Sequence, residues 1–91
     1  MDQDDPVEIP IDGVLDLHTF HPREVKDLIP EYLQECRRRG ILQVRIIHGK
    51  GTGVLRRIVH SLLEKDPSVA DYKTADLGGG GWGSTEVSLR P

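Results

Sequence analysis

Apolar residues recur along this chain at two spacings that alternate. Val14-Leu15-Asp16-Leu17-His18 follows a period of two, so it predicts a strand with Leu15 and Leu17 on one face and Asp16 and His18 on the other. Val25, Leu28, Ile29, Tyr32, Leu33 and Cys36 then recur at helical spacing. That helix is expected to begin near Pro22, whose missing N–H is not needed at a first helical position, with His21 as N-cap and Glu24 completing part of a capping box. Gly40 stops it after Arg37, Arg38 and Arg39, which suit the negative end of a helix. Pro30 sits off the apolar stripe and predicts an outer-side kink rather than two helices, although a proline inside a helix costs about 3 kcal/mol.

Ile41 to Ile47 is almost continuously apolar apart from Gln43 and Arg45, the mark of a buried strand. The helix before it is long enough for a crossover, so the first two strands are expected to be parallel. Val54, Leu55, Ile58, Val59, Leu62 and Leu63 define a second helix, which Asp66-Pro67 ends, with His60 at the boundary of its stripe. Val69 to Asp76 and Ser84 to Leu89 read as a hairpin around the glycine-rich run Gly78 to Gly83, where Trp82 is expected to fold onto the core. The order β-α-β-α-β-β predicts a two-layer α/β sandwich with a mixed, mostly parallel four-stranded sheet.

Length and charge refine this picture. At 91 residues the chain has room for one small domain, expected over residues 9–91, preceded by an acidic, flexible lead over residues 1–8. The formal charge of −3 argues against an anionic partner until its distribution is examined. Residues 1–12 hold five acids and no base, which leaves 12 bases against 10 acids in the remainder. Between Cys36 and Leu63 stand seven bases and no acid. No apolar run approaches the ~20 residues of a membrane span and no signal-peptide pattern is present, so a cytoplasmic location is expected. A lone Cys36 on an apolar stripe reads as a small core side chain rather than a nucleophile.

The basic stretch surrounds His48-Gly49-Lys50-Gly51-Thr52-Gly53, a glycine turn between a strand and a helix. Glycines permit positive φ and close backbone approach, and the first amides of a helix carry partial positive charge. Gly49, Lys50, Gly51, Thr52 and Gly53, with Arg45, Arg56 and Arg57, are therefore the candidate phosphate-binding residues. The spacing of a Walker-type phosphate loop is absent. Parallel first and second strands would bring Asp16 and His18 to the same end of the sheet as His48. Two imidazoles could serve as base and acid in phosphodiester hydrolysis. The carboxylate could orient an imidazole or ligate Mg²⁺ or Mn²⁺, with Asp16 the candidate ligand.

Leu15-Asp16-Leu17-His18, followed about thirty residues later by His48-Gly49-Lys50-Gly51, resembles the two motifs of the Smr (small MutS-related) domain, L-D-L-H-G and H-G-x-G. The resemblance spans about residues 12–90 and includes the glycine-rich segment before the last strand. It implies a fold similar to the C-terminal domain of a bacterial translation initiation factor, and nicking or endonucleolytic cleavage of DNA or RNA. The positions that match are Asp16, His18, His48, Gly49 and Gly51, and the resemblance makes Asp16, His18 and His48 the catalytic candidates. Thr19 stands where the family has glycine. If that position needs positive φ or close backbone approach to a substrate, a β-branched residue fits it badly and Thr19→Gly should raise cleavage.

The leading expectation is a nicking-type endonuclease acting on DNA or RNA, alone, as a homo-oligomer or with a protein partner, and away from membranes. The alternative is a non-catalytic module that binds branched or single-stranded nucleic acid. A third reading is a phosphate-metabolite or protein-interaction domain whose glycine turn is only structural.

Overall fold

The computed structural model describes residues 10–49, 53–75 and 83–91. Within them run β1 (Val14–Asp16), α1 (Pro22–Arg38), β2 (Gln43–Ile47), α2 (Val54–Lys65), β3 (Val69–Thr74) and β4 (Ser84–Leu89). The acidic lead, Lys50, Gly51, Thr52 and the segment 76–82 that includes Trp82 lie outside the described residues.

The four strands form one sheet in the order β1-β2-β4-β3. β1 pairs parallel to β2, and β4 pairs antiparallel to both β2 and β3. β1, β2 and β3 thus share a direction, yet only one of the three pairings is parallel. The hairpin link forces β4 to run against β3. β4 then fills the place between β2 and β3, so the crossover through α2 joins strands that are not neighbours.

α1 and α2 pack against each other. Their stripes meet the inward residues of the sheet in one core of Leu15, Leu17, Val25, Ile29, Leu33, Cys36, Val44, Ile46, Val59, Leu63 and Val87. The opposite sheet face is mostly polar, with Val14 exposed on it. There Gln43 bonds Ser88, and Arg45 pairs with Glu86 at 3.0 Å.

α1 is continuous through the exposed Pro30. At its start the Glu24 carboxylate accepts the His21 N–H at 2.7 Å. At its end the Ile41 N–H reaches the Cys36 carbonyl and the Gly40 N–H reaches that of Arg37, with Gly40 at φ 77°. Those paired bonds satisfy orphan carbonyls and turn the chain into β2. Tyr32 accepts the Gly13 N–H at 3.1 Å, fixing the entry to β1, and burial pushes its phenol up to about 12. Cys36 is buried and its thiol is also pushed up by burial, as befits a packing residue.

Candidate functional site

β2 delivers the site. The Leu17 N–H continues the β1–β2 pairing to the Ile47 carbonyl at 2.9 Å, so both parallel strands end at the same level. Beyond Ile47 the N–H groups of His48 and Gly49 both donate to the Gly83 carbonyl, at 2.9 and 2.8 Å. The glycine turn after β2 is thereby tied to the last residue of the glycine-rich segment before β4. Gly49 and Gly53 have φ of 82° and 85°, and a Cβ at either would meet nothing within 4 Å. Their requirement is the left-handed backbone rather than space.

Gly53 is the N-cap of α2, without a side-chain cap and without an acid in the first turn. The first intrahelical bond runs from the Arg57 N–H to the Gly53 carbonyl, so the amides of Val54 and Leu55 precede it. They border a pocket of about 280 Å³ lined by Pro22, His48, Gly49, Gly53, Val54, Leu55 and Arg56. With no carboxylate among its described residues, an arginine in the wall and the positive end of a helix, this site is suited to an anion.

His48 faces inward, only 7% exposed. Its Nδ1 lies 3.1 Å from the Gly49 carbonyl and its Nε2 2.8 Å from the Thr85 hydroxyl. The same hydroxyl lies 2.8 Å from Nε2 of His60, and Thr85 is fully buried. The two imidazoles meet edge to face at 6.2 Å, and His60 also contacts the Tyr72 ring at 5.1 Å. His60, expected as a surface or boundary residue beside the apolar stripe of α2, is a member of this cluster. Its spacing on α2 gave no sign of that, because its partner Thr85 is 25 residues away.

Both histidines are held below the ordinary value of 6.5, chiefly by burial, with Arg56 adding to the effect in each and His48 adding to it in His60. A depressed histidine makes the unfolded chain the better proton binder. Their contribution to stability is therefore complete above 6.5 and is lost as pH falls through the lower folded values. The urea midpoint should fall on going from pH 7 to pH 5. A midpoint that does not move, or rises, contradicts the burial of these rings.

Asp16 lies on the opposite side of the sheet. Register pairs it with Ile47, so its side chain alternates away from the helix layer that His48 enters. One of its carboxylate oxygens accepts the His18 N–H at 2.9 Å, and the Phe20 N–H bonds the Leu17 carbonyl to close the following turn. His18 and Thr19 are exposed at the tip of that turn. Asp16 and His18 thus meet in one turn, with Asp16 exposed on the outer sheet face, while the His48 ring is buried on the inner one.

No described residue other than glycine has positive φ, so Thr19 carries no left-handed strain. No gain is therefore expected from relieving backbone strain in Thr19→Gly. That substitution should leave any cleavage unchanged or lower it, at a cost of roughly 0.5–1 kcal/mol from unfolded-state entropy. A rise in activity measured beside a urea titration would contradict the turn geometry.

Of the cationic candidates, Arg56 lines the pocket and Arg57 follows it on α2, whereas Arg45 lies on the polar sheet face, paired with Glu86. Lys50, Gly51 and Thr52 fall outside the described residues. Among the described residues no three histidine, cysteine or acidic side chains converge as a metal set. Mg²⁺ commonly takes one or two carboxylates together with substrate phosphates, so Asp16 would be the protein's share of such a site.

The family model of the Smr domain matches residues 15–90, the span that contains both motifs and nearly all of the sheet. This chain belongs to the Smr family. Among its relatives, endonuclease MutS2 of Clostridium tetani is 35% identical over 80 residues, covering 88% of this chain and 10% of that protein. Endonuclease MutS2 of Thermus thermophilus is 41% identical over 63 residues, covering 69% of this chain and 8% of the relative. This Smr chain thus spans about one tenth of the length of its MutS2 relatives.

Two solved Smr structures share the architecture. The Smr domain of Thermus thermophilus MutS2 superposes with a TM-score of 0.83 at 36% identity, over 88% of this chain and all of that one. YdaL, a stand-alone small MutS-related protein from Escherichia coli, gives 0.81 at 28% identity over 93% of this chain and 70% of its own. Among the described residues no helix is long and apolar enough to cross a membrane.

Proposed function

We propose that this Smr domain binds nucleic acid with a backbone phosphate at the N-terminus of α2 and hydrolyses a nearby phosphodiester bond. The observation that carries the binding half is the pocket of Gly53, Val54, Leu55 and Arg56 beside the glycine turn, with no acid among its described lining residues. Lys50 adds a further cation by sequence. The cleavage half is supported by kinship with proteins named endonucleases and by His18, an exposed imidazole whose backbone Asp16 holds. His18 is the group suited to move a proton to or from a phosphodiester in solvent reach. His48 has both ring nitrogens engaged within the protein. A divalent ion, if used, would enter with the substrate phosphates and lean on Asp16.

The basic surface continues past the pocket. A groove of about 460 Å³ on the α1–α2 side is lined by Lys26, Arg57, Ile58, Ser61, Leu62 and Lys65, with no acid among them. α2 is 12 residues long, about 18 Å, so a strand seated at its start can follow it to Lys65. Lys26→Glu with Lys65→Glu should weaken oligonucleotide binding across sequences and lower the salt slope by about two units. Fluorescence anisotropy at several salt concentrations measures both, and an unchanged slope would show that the strand leaves α2 before the groove.

The reading is tested by incubating supercoiled plasmid and a labelled RNA with the protein, with and without Mg²⁺ or Mn²⁺. Nicks or RNA cleavage support it. Binding without cleavage under every condition supports the alternative, a non-catalytic module for branched or single-stranded nucleic acid. The separation of Asp16 and His48 by the sheet is the observation that favours that alternative.

A further inference from the structure

We propose that Thr85 and His60 are positioning residues that lock the His48 imidazole in its Nδ1–H tautomer, and through it hold the Gly49 carbonyl in place. Donor and acceptor counts lead there. A carbonyl oxygen only accepts, so the 3.1 Å contact to Gly49 requires the proton of a neutral His48 to sit on Nδ1. Nε2 of His48 then has only a lone pair, and the Thr85 hydroxyl must donate to it across 2.8 Å. A threonine has one hydroxyl proton. Having given it to His48, Thr85 can only accept from His60, whose Nε2 must therefore carry hydrogen. The four groups form one directed chain, from His60 N–H to the Thr85 oxygen, from the Thr85 O–H to His48, and from His48 N–H to Gly49.

That chain crosses three elements. His60 belongs to α2, Thr85 to β4, and His48 and Gly49 follow the end of β2. It ties the helix whose N-terminus lines the pocket to the strand end that forms the opposite wall. Burial keeps the rings neutral, the state in which every member of the chain is satisfied. Among the described residues, the charged and titratable groups around the cluster are Arg56 on α2 and Tyr72 on β3, whose hydroxyl donates to Glu64 at 2.7 Å. None of the sequence motifs contains Thr85 or His60. The tautomer assignment follows from these contacts alone, whereas its effect on nucleic acid rests on the proposed function above.

Long-range ¹H–¹⁵N correlation spectra at pH 7.5 report which nitrogen of each histidine bears hydrogen. The wild type should show His48 as Nδ1–H and His60 as Nε2–H. Either ring in the other tautomer, or in an even mixture, overturns the proposal. Thr85→Ser keeps the hydroxyl and should keep both tautomers, whereas Thr85→Val removes it and should release both. His60→Gln retains an N–H donor and should preserve the His48 tautomer, while His60→Leu leaves Thr85 unheld and should broaden or mix the His48 signals. If Thr85→Val does not fold, the wild-type spectra and the His60 pair still decide.

In binding assays His60→Leu should weaken oligonucleotide affinity about tenfold and His60→Gln should restore it. Wild-type affinity in a His60→Leu protein with a mixed His48 tautomer would overturn the link to the turn. A wild type that binds no nucleic acid would instead defeat the proposed function and leave the tautomer result standing.

Discussion

His18→Ala is expected to slow phosphodiester cleavage by on the order of 10²–10⁴-fold while changing affinity little. The structure makes this a clean substitution. The His18 side chain is exposed, and the bonds that shape its turn use backbone groups and the Asp16 carboxylate. Removing the imidazole leaves those bonds in place and takes away only the proton-transfer group. His48→Ala does not separate chemistry from folding in this way, because it also strips a partner from the Thr85 hydroxyl inside the core. Single-turnover cleavage and anisotropy on the same preparations measure the two effects. Cleavage by His18→Ala at the wild-type rate would remove His18 from the mechanism.

Ile46→Ala is expected to cost about 2–5 kcal/mol, the range for deleting a buried aliphatic side chain with its attendant cavity. Ile46 is fully buried on the inner strand β2, with Leu15 beside it on β1 and Thr85 on β4. A domain of this size has a stability of roughly 5–14 kcal/mol, so the loss consumes a large share. His48 follows two residues later in the chain, and the pocket wall depends on that strand's course. Urea unfolding with an unchanged m-value should show the drop. A loss below about 1 kcal/mol would mean that the site collapses around the gap or that β2 is not an inner strand.

The element order was legible because each segment has a clean period and explicit punctuation. Pro22 and Gly40 bracket α1, and Asp66-Pro67 closes α2. Strand adjacency was less legible. The hairpin of β3 and β4 follows from a short link, but insertion of β4 beside β2 is a tertiary choice that no local pattern encodes. The motif residues were found by type and spacing, and Asp16 with His18 do share a turn. His48 differs from Asp16 in strand parity. It lies one place beyond the Asp16–Ile47 level and so alternates onto the other face. His60 and Thr85 carried no signal of chemistry, since each is unremarkable until folding joins them through one hydroxyl. Arg45 was grouped with Arg56 and Arg57 by charge alone, and its pairing with Glu86 depends on the register of β2 with β4.

The central claim is that a nucleic-acid phosphate sits at the start of α2, and an amide titration tests it most directly. ¹H–¹⁵N spectra recorded while a short single-stranded oligonucleotide is added should show the largest shifts at Gly49, Gly53, Val54 and Leu55, with weaker ones toward Ser61 and Lys65. The open sheet face, marked by Arg45, Lys73 and Glu86, should stay unmoved. Shifts concentrated on that sheet face, with the amides at the start of α2 unchanged at saturation, would contradict the account.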